Sequence, residues 1–521
     1  MYRDIATAGF ADQYHSFLIS GPLIFLGTAL WILIVLKKSR NGKHQPPLPP
    51  GPRPLPLLGN LLSLQPDLHT YMAALSQVHG PIYTLWLGRK PGIVITSPSL
   101  AREILKDQDT AFANRDVPAA GREATFGGKD IVWSPHGPEW RMLRKICVRE
   151  MLSSSALDSV YDLRRREVRG TVKYLYEQAG RRVNIGEQMF LTMINVITGM
   201  MWGGTMKGAE RETLGSEFRQ IVTGISGLVG LPNVSDFYPG LARYDLQGIQ
   251  RKMKKLVAKL DKIFQTVIDQ RLRMGRRDEM ESRDFLQVLL KLKDGEGDER
   301  IPFTIPHLKA LLVDMVTGGT DTTSNVAEFA MAEIMKEPKV LRKLHEEIDT
   351  IVGKDNMVEE SHIHQLPYLS AVMKETLRLH PVLPLLVPHS PSKTCTVGGY
   401  TVPQGARIFL NVWAIHRDSS VWENPLEFKP ERFLDNKVWD YYNTKDFDYF
   451  PFGSGRRICA GIASAERMFM YTLASIIHSF DWKLPQGETL ELSEKFGIVL
   501  TKRVPLVLIP TPRLSHSTLY E

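Results

Sequence analysis

Cysteine is nearly absent: the 521 residues hold three, Cys147, Cys395 and Cys459. Three are too few for a disulfide framework and their spacing matches no zinc site, so a reducing compartment is the natural home. No lysine and arginine run is interleaved with aromatics, which excludes nucleic-acid binding from the expected partners. After the first sixty residues there is no low-complexity linker and no internal repeat. A chain of this length could divide into several domains, yet one large domain over residues 61–521 fits better. Strand-like alternation is scarce too, being clearest from Cys395 to Val412 with a turn at Gly398 and Gly399.

One long apolar run is present. Phe17 to Leu36 passes twenty positions without a charge, enough at about 1.5 Å per residue to cross a hydrocarbon core of roughly 30 Å. Lys37, Lys38, Arg40 and Lys43 follow it, where a secretory signal would carry a small-residue cleavage site. The pattern predicts a transmembrane anchor over 17–36, a lumenal tail over 1–16 and, by the positive-inside rule, a cytoplasmic remainder. Residues 37–60 read as a basic stop-transfer cluster and a stiff hinge, because the prolines of PPLPPGPRPLPLLGN, Pro46 to Asn60, fix φ and exclude helix. Asn233, Val234 and Ser235 form a glycosylation sequon that this topology leaves unmodified. Arg251 to Arg273 carries Met253, Leu256, Leu260, Phe264 and Val267 at helical spacing, as a solvated helix with one face in the core would.

Chemistry concentrates in PFGSGRRICAG, Pro451 to Gly461. A free cysteine ionises near pH ~8.5, and a following helix N-terminus with Arg456 and Arg457 alongside is expected to lower that value and make Cys459 a thiolate. Gly453, Gly455 and Gly461 let the backbone bend and approach a flat cofactor. The run resembles the heme-binding signature of the cytochromes P-450, Phe-x-x-Gly-x-Arg-x-Cys-x-Gly, with Phe452, Gly455, Arg457, Cys459 and Gly461 in place. The resemblance implies heme b, iron protoporphyrin IX, with Cys459 as the axial ligand whose thiolate favours O–O cleavage.

Upstream, HLKALLVDMVTGGTDTTSNVAEFAMAEIM from His307 is periodic enough for a long helix. Its centre breaks local rules: Gly318 and Gly319 each cost roughly 0.5–1 kcal/mol in a helix, and three threonines are poor helix formers. Such conflicts concentrate at functional sites. The two glycines are expected to clear space beside the Thr322 hydroxyl for a small ligand, and a threonine bonded to the carbonyl four residues back can open the helix slightly. The segment resembles the family's Ala/Gly-Gly-x-Asp/Glu-Thr-Thr/Ser motif, which implies Thr322 beside bound dioxygen and Asp321 in a proton relay.

Other positions follow from the resemblance. Glu375 and Arg378 of KETLRLHP share a helix face, and with Arg432 of PERF they imply a buried network bracing the Cys459 loop. Trp140, Arg144, Arg457 and His389 stand where the family holds the heme propionates. The pocket walls fall in Pro118 to Val132, Leu311 to Gly318, Val382 to Val387 and Phe496 to Leu500. They make Gly318, Val382, Leu386, Val387, Ile498 and Val499 substrate-facing, whereas a surface loop accounts for Arg122, Glu123, Lys129 and Asp130.

The resemblance covers essentially the whole chain. It implies a mainly α fold with a small β region, preceded by one transmembrane helix, and a single-pass protein of the endoplasmic reticulum membrane. It also implies a monooxygenase of plant specialised metabolism that uses dioxygen and draws electrons from NADPH-cytochrome P-450 reductase, for which part of the net charge of +8 forms a docking surface. A small hydrophobic substrate is expected, a terpenoid first and a flavonoid or phenylpropanoid next. Asp116 after FANR and Thr394 before Cys395 depart from plant patterns, which favour proline and aspartate there. The competing readings are a reductase-independent heme-thiolate isomerase or dehydratase and a membrane-tethered heme sensor. Relatives of the first kind depart from the oxygen-helix motif that this chain keeps.

Overall fold

The computed structural model describes residues 46–521 except 205–208, 274–283, 297–300, 436–438 and 443–444. The segments 1–16 and 17–36 expected as tail and anchor lie outside the described residues. Among the described residues no helix is long and apolar enough to cross a membrane. Among the described residues, 46–48 with 399–401 form one compact unit, and 49–398 with 402–521 form the other. In the first, Thr401 donates its N–H to Pro47 O (2.9 Å) and its hydroxyl to Pro46 O (2.5 Å). Everything below concerns the second.

That unit is mainly helical, with small sheets. The long helix Ile305–Lys336 begins at Thr304, whose N–H donates to His307 Nδ1 (3.1 Å), with Pro306 in the first turn, where a missing N–H costs nothing. It ends at Lys336, with Pro338 two residues on. Its two halves belong to different hydrophobic clusters. Leu308, Leu311, Leu312, Val313 and Val316 pack with the helices Ile185–Trp202 and Ile249–Arg273, whereas Val326, Ala327, Ala330, Met331 and Ile334 pack with Pro367–Leu379 and Ile462–Ser479. Gly318 to Thr322 therefore sits where the two cores part. Ile249–Arg273 buries Met253, Leu260 and Phe264 as the periodicity anticipated, but with Val257 and Ile268 where Leu256 and Val267 were expected, these last two being only half-buried, and it leaves its lysines outside.

The largest sheet orders its strands as Ile82–Leu87, Lys90–Ile95, Arg407–Leu410, His389–Ser390 and Asn114–Arg115. Lys90–Ile95 runs antiparallel to the first (Ile82 opposite Ile95) and parallel to Arg407–Leu410 (Gly92 opposite Arg407). This sheet sets Arg115 and His389 opposite one another at its far edge. Asn233 of the sequon is buried, and its Oδ1 accepts the Ser235 N–H (3.0 Å).

Glu375, Arg378 and Arg432 come together. Arg378 grips Glu375 bidentately (Nε to Oε2, 2.7 Å; Nη2 to Oε1, 2.9 Å), and Arg432 Nε reaches Glu375 Oε1 at 2.9 Å. The remaining guanidinium donors go to carbonyls of His416, Glu423, Pro425 and Glu427. The network thus clamps residues 416–432 and, among the described residues, makes no direct bond to the Cys459 loop, so any brace acts indirectly. The link is one step removed. Burial beside Arg378 and Arg417 keeps His416 neutral, its pKa well below the usual value, and its free Nε2 accepts the Phe450 N–H (3.1 Å) where the loop begins.

Replacing Glu375 with alanine strands two guanidinium groups, one of them fully buried, and is expected to cost roughly 3–5 kcal/mol. The urea midpoint of the cofactor-loaded protein should fall accordingly, and Glu375→Asp should recover part of the loss.

Candidate active site

The long helix and the Pro451–Gly461 loop border a cavity of about 2040 Å³, its open mouth included. Gly318, Thr322 and Thr323 line it from the helix, and Phe452, Arg457, Cys459 and Gly461 line it from the loop.

Gly453 and Gly455 both adopt φ near +70°, and a Cβ on Gly455 would lie 2.4 Å from the Leu105 carbonyl oxygen. Only glycine fits there. The turn closes with the Cys459 N–H on Phe452 O (3.0 Å), and the Cys459 sulfur accepts the Gly461 N–H (3.3 Å) just ahead of helix Ile462–Ser479. Cys459 is exposed, and the space it faces is the cavity. Its pKa is raised, not lowered. Burial dominates, and the Gly461 N–H and Arg144 offset it only partly. The expected cations are occupied elsewhere: Arg456 pairs with Asp109, and Arg457 donates to the carbonyls of Ala113 (2.7 Å), Ile131 (3.1 Å) and Ser134. A thiolate here calls for a metal cation at the sulfur, which deprotonates a thiol outright.

Arg115, Arg144 and Arg457 all line the cavity. Among the described residues none of them has a carboxylate within ion-pair distance. Arg115 is the extreme case: its Nη1 donates to Val387 O, but its Nε is buried without a partner. Its pKa is driven well down by burial and by Arg457. Sequence reasoning missed this residue; the signal was an arginine within FANR, between a helix and an apolar segment. Three poorly compensated cations at one rim demand an anion, and the two propionates of heme meet that demand. The residues present fit the group. His389 also lines the cavity; it donates from Nδ1 to Phe112 O (2.9 Å), and burial near Arg115 holds it neutral. Trp140 departs from its expected role. Its indole N–H goes to Ile131 O (3.0 Å), its ring does not line the cavity, and Arg457 and Arg144 lie over it at 4.5 and 5.6 Å. It braces the arginines.

On the long helix, Thr322 Oγ1 donates to Gly318 O at 2.6 Å, the expected i−4 bond, while the helix stays α-helical throughout. A Cβ on Gly318 would meet nothing within 4 Å, so this glycine keeps cavity space clear. Gly319 does not: a Cβ there would sit 2.7 Å from Ile197 Cδ1, which makes it a packing glycine. Asp321 is buried and absent from the cavity wall. It faces Ser226, Thr223 and Arg219 of helix Ala209–Gly230 and accepts from Asn325 (3.2 Å). Burial, the largest influence, raises its pKa. Any route for protons between Asp321 and Thr322 must therefore pass around the helix.

Val382, Leu386, Val387, Ile498 and Val499 all line the cavity, with Leu383 of the same expected wall, joined by Ile225 and Val229 that sequence reasoning did not place. A smaller cavity of about 750 Å³ adjoins it and shares Trp133, Val229, Leu386 and Ile498. The departure at Asp116 finds a role in its wall. Burial opposes the charge, but Arg407 (2.5 Å) and Lys90 (2.5 Å) hold Asp116 below the usual carboxylate range. Asp130, expected on a surface loop, is fully buried.

The family model described as Cytochrome P450 matches residues 49–509. The chain is 38% identical over 502 residues to a flavonoid 3'-monooxygenase of Arabidopsis thaliana, covering 94% of this chain and 97% of that one. It is 39% identical over 479 residues to a geraniol 8-hydroxylase of Swertia mussotii, covering 91% and 95%. A solved zebrafish cytochrome P450 with abiraterone superposes with a TM-score of 0.72 at 25% identity, over 85% of this chain and 99% of that chain.

Cys459→Ser is expected to abolish the thiolate-type absorption of the reduced carbon monoxide complex. Retention of that band in the purified variant would remove Cys459 as the ligand.

Proposed function

This chain belongs to the cytochrome P450 family, a heme-binding monooxygenase, and we propose that it hydroxylates a small uncharged plant metabolite of the flavonoid or terpenoid class. The family match carries the reaction. The cavity supports the substrate range: beyond the cofactor edge its wall is aliphatic, with Ile225, Val229, Val313, Leu383, Ile498 and Val499, broken mainly by Ser226, Asp314 and threonine hydroxyls. Relatives named for flavonoid and for geraniol hydroxylation match about equally well, so a flavonoid fits as well as the terpenoid that the sequence reading put first.

When bound, heme supplies the activation of dioxygen; the chain's own residues do the rest. Cys459 holds the iron. Arg115, Arg144 and Arg457 neutralise the propionate edge, with His389 beside them. Thr322 presents a hydroxyl at the gap over Gly318, where it can pass a proton onward, and the aliphatic wall keeps bulk water out.

Electrons come, in this reading, from an NADPH-dependent reductase with an acidic face. Helix Pro138–Glu150 supports it: the inner face carries Trp140, Leu143 and Cys147, Arg144 donates to Ile458 O (2.7 Å), and Arg141, Lys145 and Arg149 are exposed outside. Residence in the endoplasmic reticulum membrane rests on the apolar run 17–36. It is supported by exposed Leu55, Leu57, Leu62, Leu231 and Leu246, two stretches tied by Tyr238, whose hydroxyl donates to Leu57 O (2.7 Å).

The reading is tested by incubating membranes holding this protein and a reductase with NADPH and a panel of flavonoids and terpenoid alcohols. A hydroxylated product from either class, absent without NADPH, is expected; turnover that continues without reductase would favour an isomerase or dehydratase. Thr322→Ala should retain heme but lower product per NADPH by about tenfold or more, with the balance as hydrogen peroxide. Unchanged coupling would take Thr322 out of proton delivery.

A further inference from the structure

Asp130 and Asp314 serve none of the roles above, yet both are buried at the rim of the heme cavity. Asp130 Oδ1 accepts the N–H groups of Trp133 (3.1 Å) and Ser134 (3.3 Å). Asp314, on the long helix two turns before Thr322, lines the cavity and accepts the Ile131 N–H at Oδ2 (2.8 Å). Asp130 Oδ2 is buried and no N–H or O–H donor among the described residues reaches it. The Asp314 carboxyl, tied to the N–H of the very next residue, Ile131 (2.8 Å), is the hydrogen-bonding partner of the Asp130 side chain. Two carboxylates cannot make that bond, so one must carry a proton.

The surroundings say which. Arg457 and Arg115 face Asp130 and favour its charge. Asp314 faces Asp130 and the Cys147 thiol. Burial raises both carboxyls, Asp314 the more strongly.

The geometry points to a proton-locked latch, with Asp314 as acid and Asp130 as carboxylate, that fastens residues 128–134 to the long helix. Both are positioning residues. The latched stretch supplies the Ile131 and Ser134 carbonyls that hold Arg457, the Ile131 carbonyl that holds Trp140, and the Gly128 carbonyl that accepts the Ser134 hydroxyl (2.9 Å). Through them it fixes the cationic rim against the cofactor. The latch rests on the heme reading, which stands independently on Cys459.

Opening the latch exposes Asp314 and releases its proton. The closed-state pKa is raised, so the latch's contribution is complete below the ordinary carboxyl value. It is lost as pH climbs toward the raised one, with opening favoured by up to ~tenfold per pH unit in that window. Asp314→Asn should break this link without breaking the latch, because the amide accepts the Ile131 N–H and donates N–H to Asp130 with no titratable proton. Asp314→Ala removes the bond at every pH.

The test is the rate of heme transfer from the holoenzyme to an excess of a heme-acceptor protein between pH 5 and 9, together with the infrared band of a protonated carboxyl. In the parent protein the band is expected and transfer should accelerate with pH relative to Asp314→Asn, which lacks the band and gives a flatter profile. Asp314→Ala should release heme faster than Asp314→Asn throughout. A parent-like slope in Asp314→Asn, a band unchanged by that substitution, or equal rates in the two variants would each overturn the latch. Loss of the carbon monoxide thiolate band in Asp314→Asn would instead indict the heme site itself.

Discussion

Positive charge gathered at one rim, with no carboxylate in ion-pair contact among the described residues, governs this molecule. Arg115, Arg144 and Arg457 are held at one rim by hydrogen bonds to carbonyls of Val387, Ile458, Ala113, Ile131 and Ser134. Carbonyl dipoles orient a guanidinium but do not neutralise it, and one Arg115 N–H has no partner among the described residues. The polypeptide therefore folds around an electrostatic deficit that an anion must fill. Cys459 carries the complementary deficit: its sulfur opens on the cavity, yet desolvation by the surrounding protein raises its pKa and keeps it a thiol until a cation lies beside it. Heme brings anions to the first and a cation to the second, so cofactor binding and completion of the fold are coupled.

The contrast with Glu375, Arg378 and Arg432 shows that burying arginine is not by itself the point. There a carboxylate pairs with both cations and backbone carbonyls take the remaining donors. That network is closed, and its work is mechanical: it fixes residues 416–432, keeps His416 neutral and so anchors Phe450 at the mouth of the cysteine loop. One cluster is satisfied and structural, the other unsatisfied and ligand-binding. The difference is whether a carboxylate lies in ion-pair contact with the arginines.

This distinction also explains what was legible in the sequence. Cys459, Thr322, Gly318 and the Glu375 network sit in local motifs whose spacing survives translation into structure, and the helical periodicities of 249–273 and 305–336 were plain for the same reason. Arg115, Asp130 and the true surroundings of Trp140 were not. Each depends on partners far along the chain: Arg115 on Val387, Trp140 on Ile131 and Arg457, and Asp130 on Asp314. A charged residue in a turn-like segment looks exposed until a distant helix covers it. Local spacing likewise made Gly318 and Gly319 equivalent, and only the packing of Ile197 separates the glycine that opens space from the one that closes a contact.

The placement of Gly318 to Thr322 follows from the same division of labour. The long helix is pinned at both ends by separate hydrophobic clusters, so its middle need not contribute to either. A helix held in this way tolerates a glycine and several threonines whose intrinsic cost would unravel an isolated segment. The Thr322 hydroxyl meets its own hydrogen-bonding need at Gly318 O while still reaching the cavity. The same turn sends Asp321 to the opposite side, toward helix Ala209–Gly230. An acid and an alcohol adjacent in sequence thus open onto different compartments, one dry and protein-filled, the other lined for substrate. Proton delivery through this helix requires a carrier that travels between them, and the hydroxyls of Thr223 and Ser226 around Asp321 offer its first step.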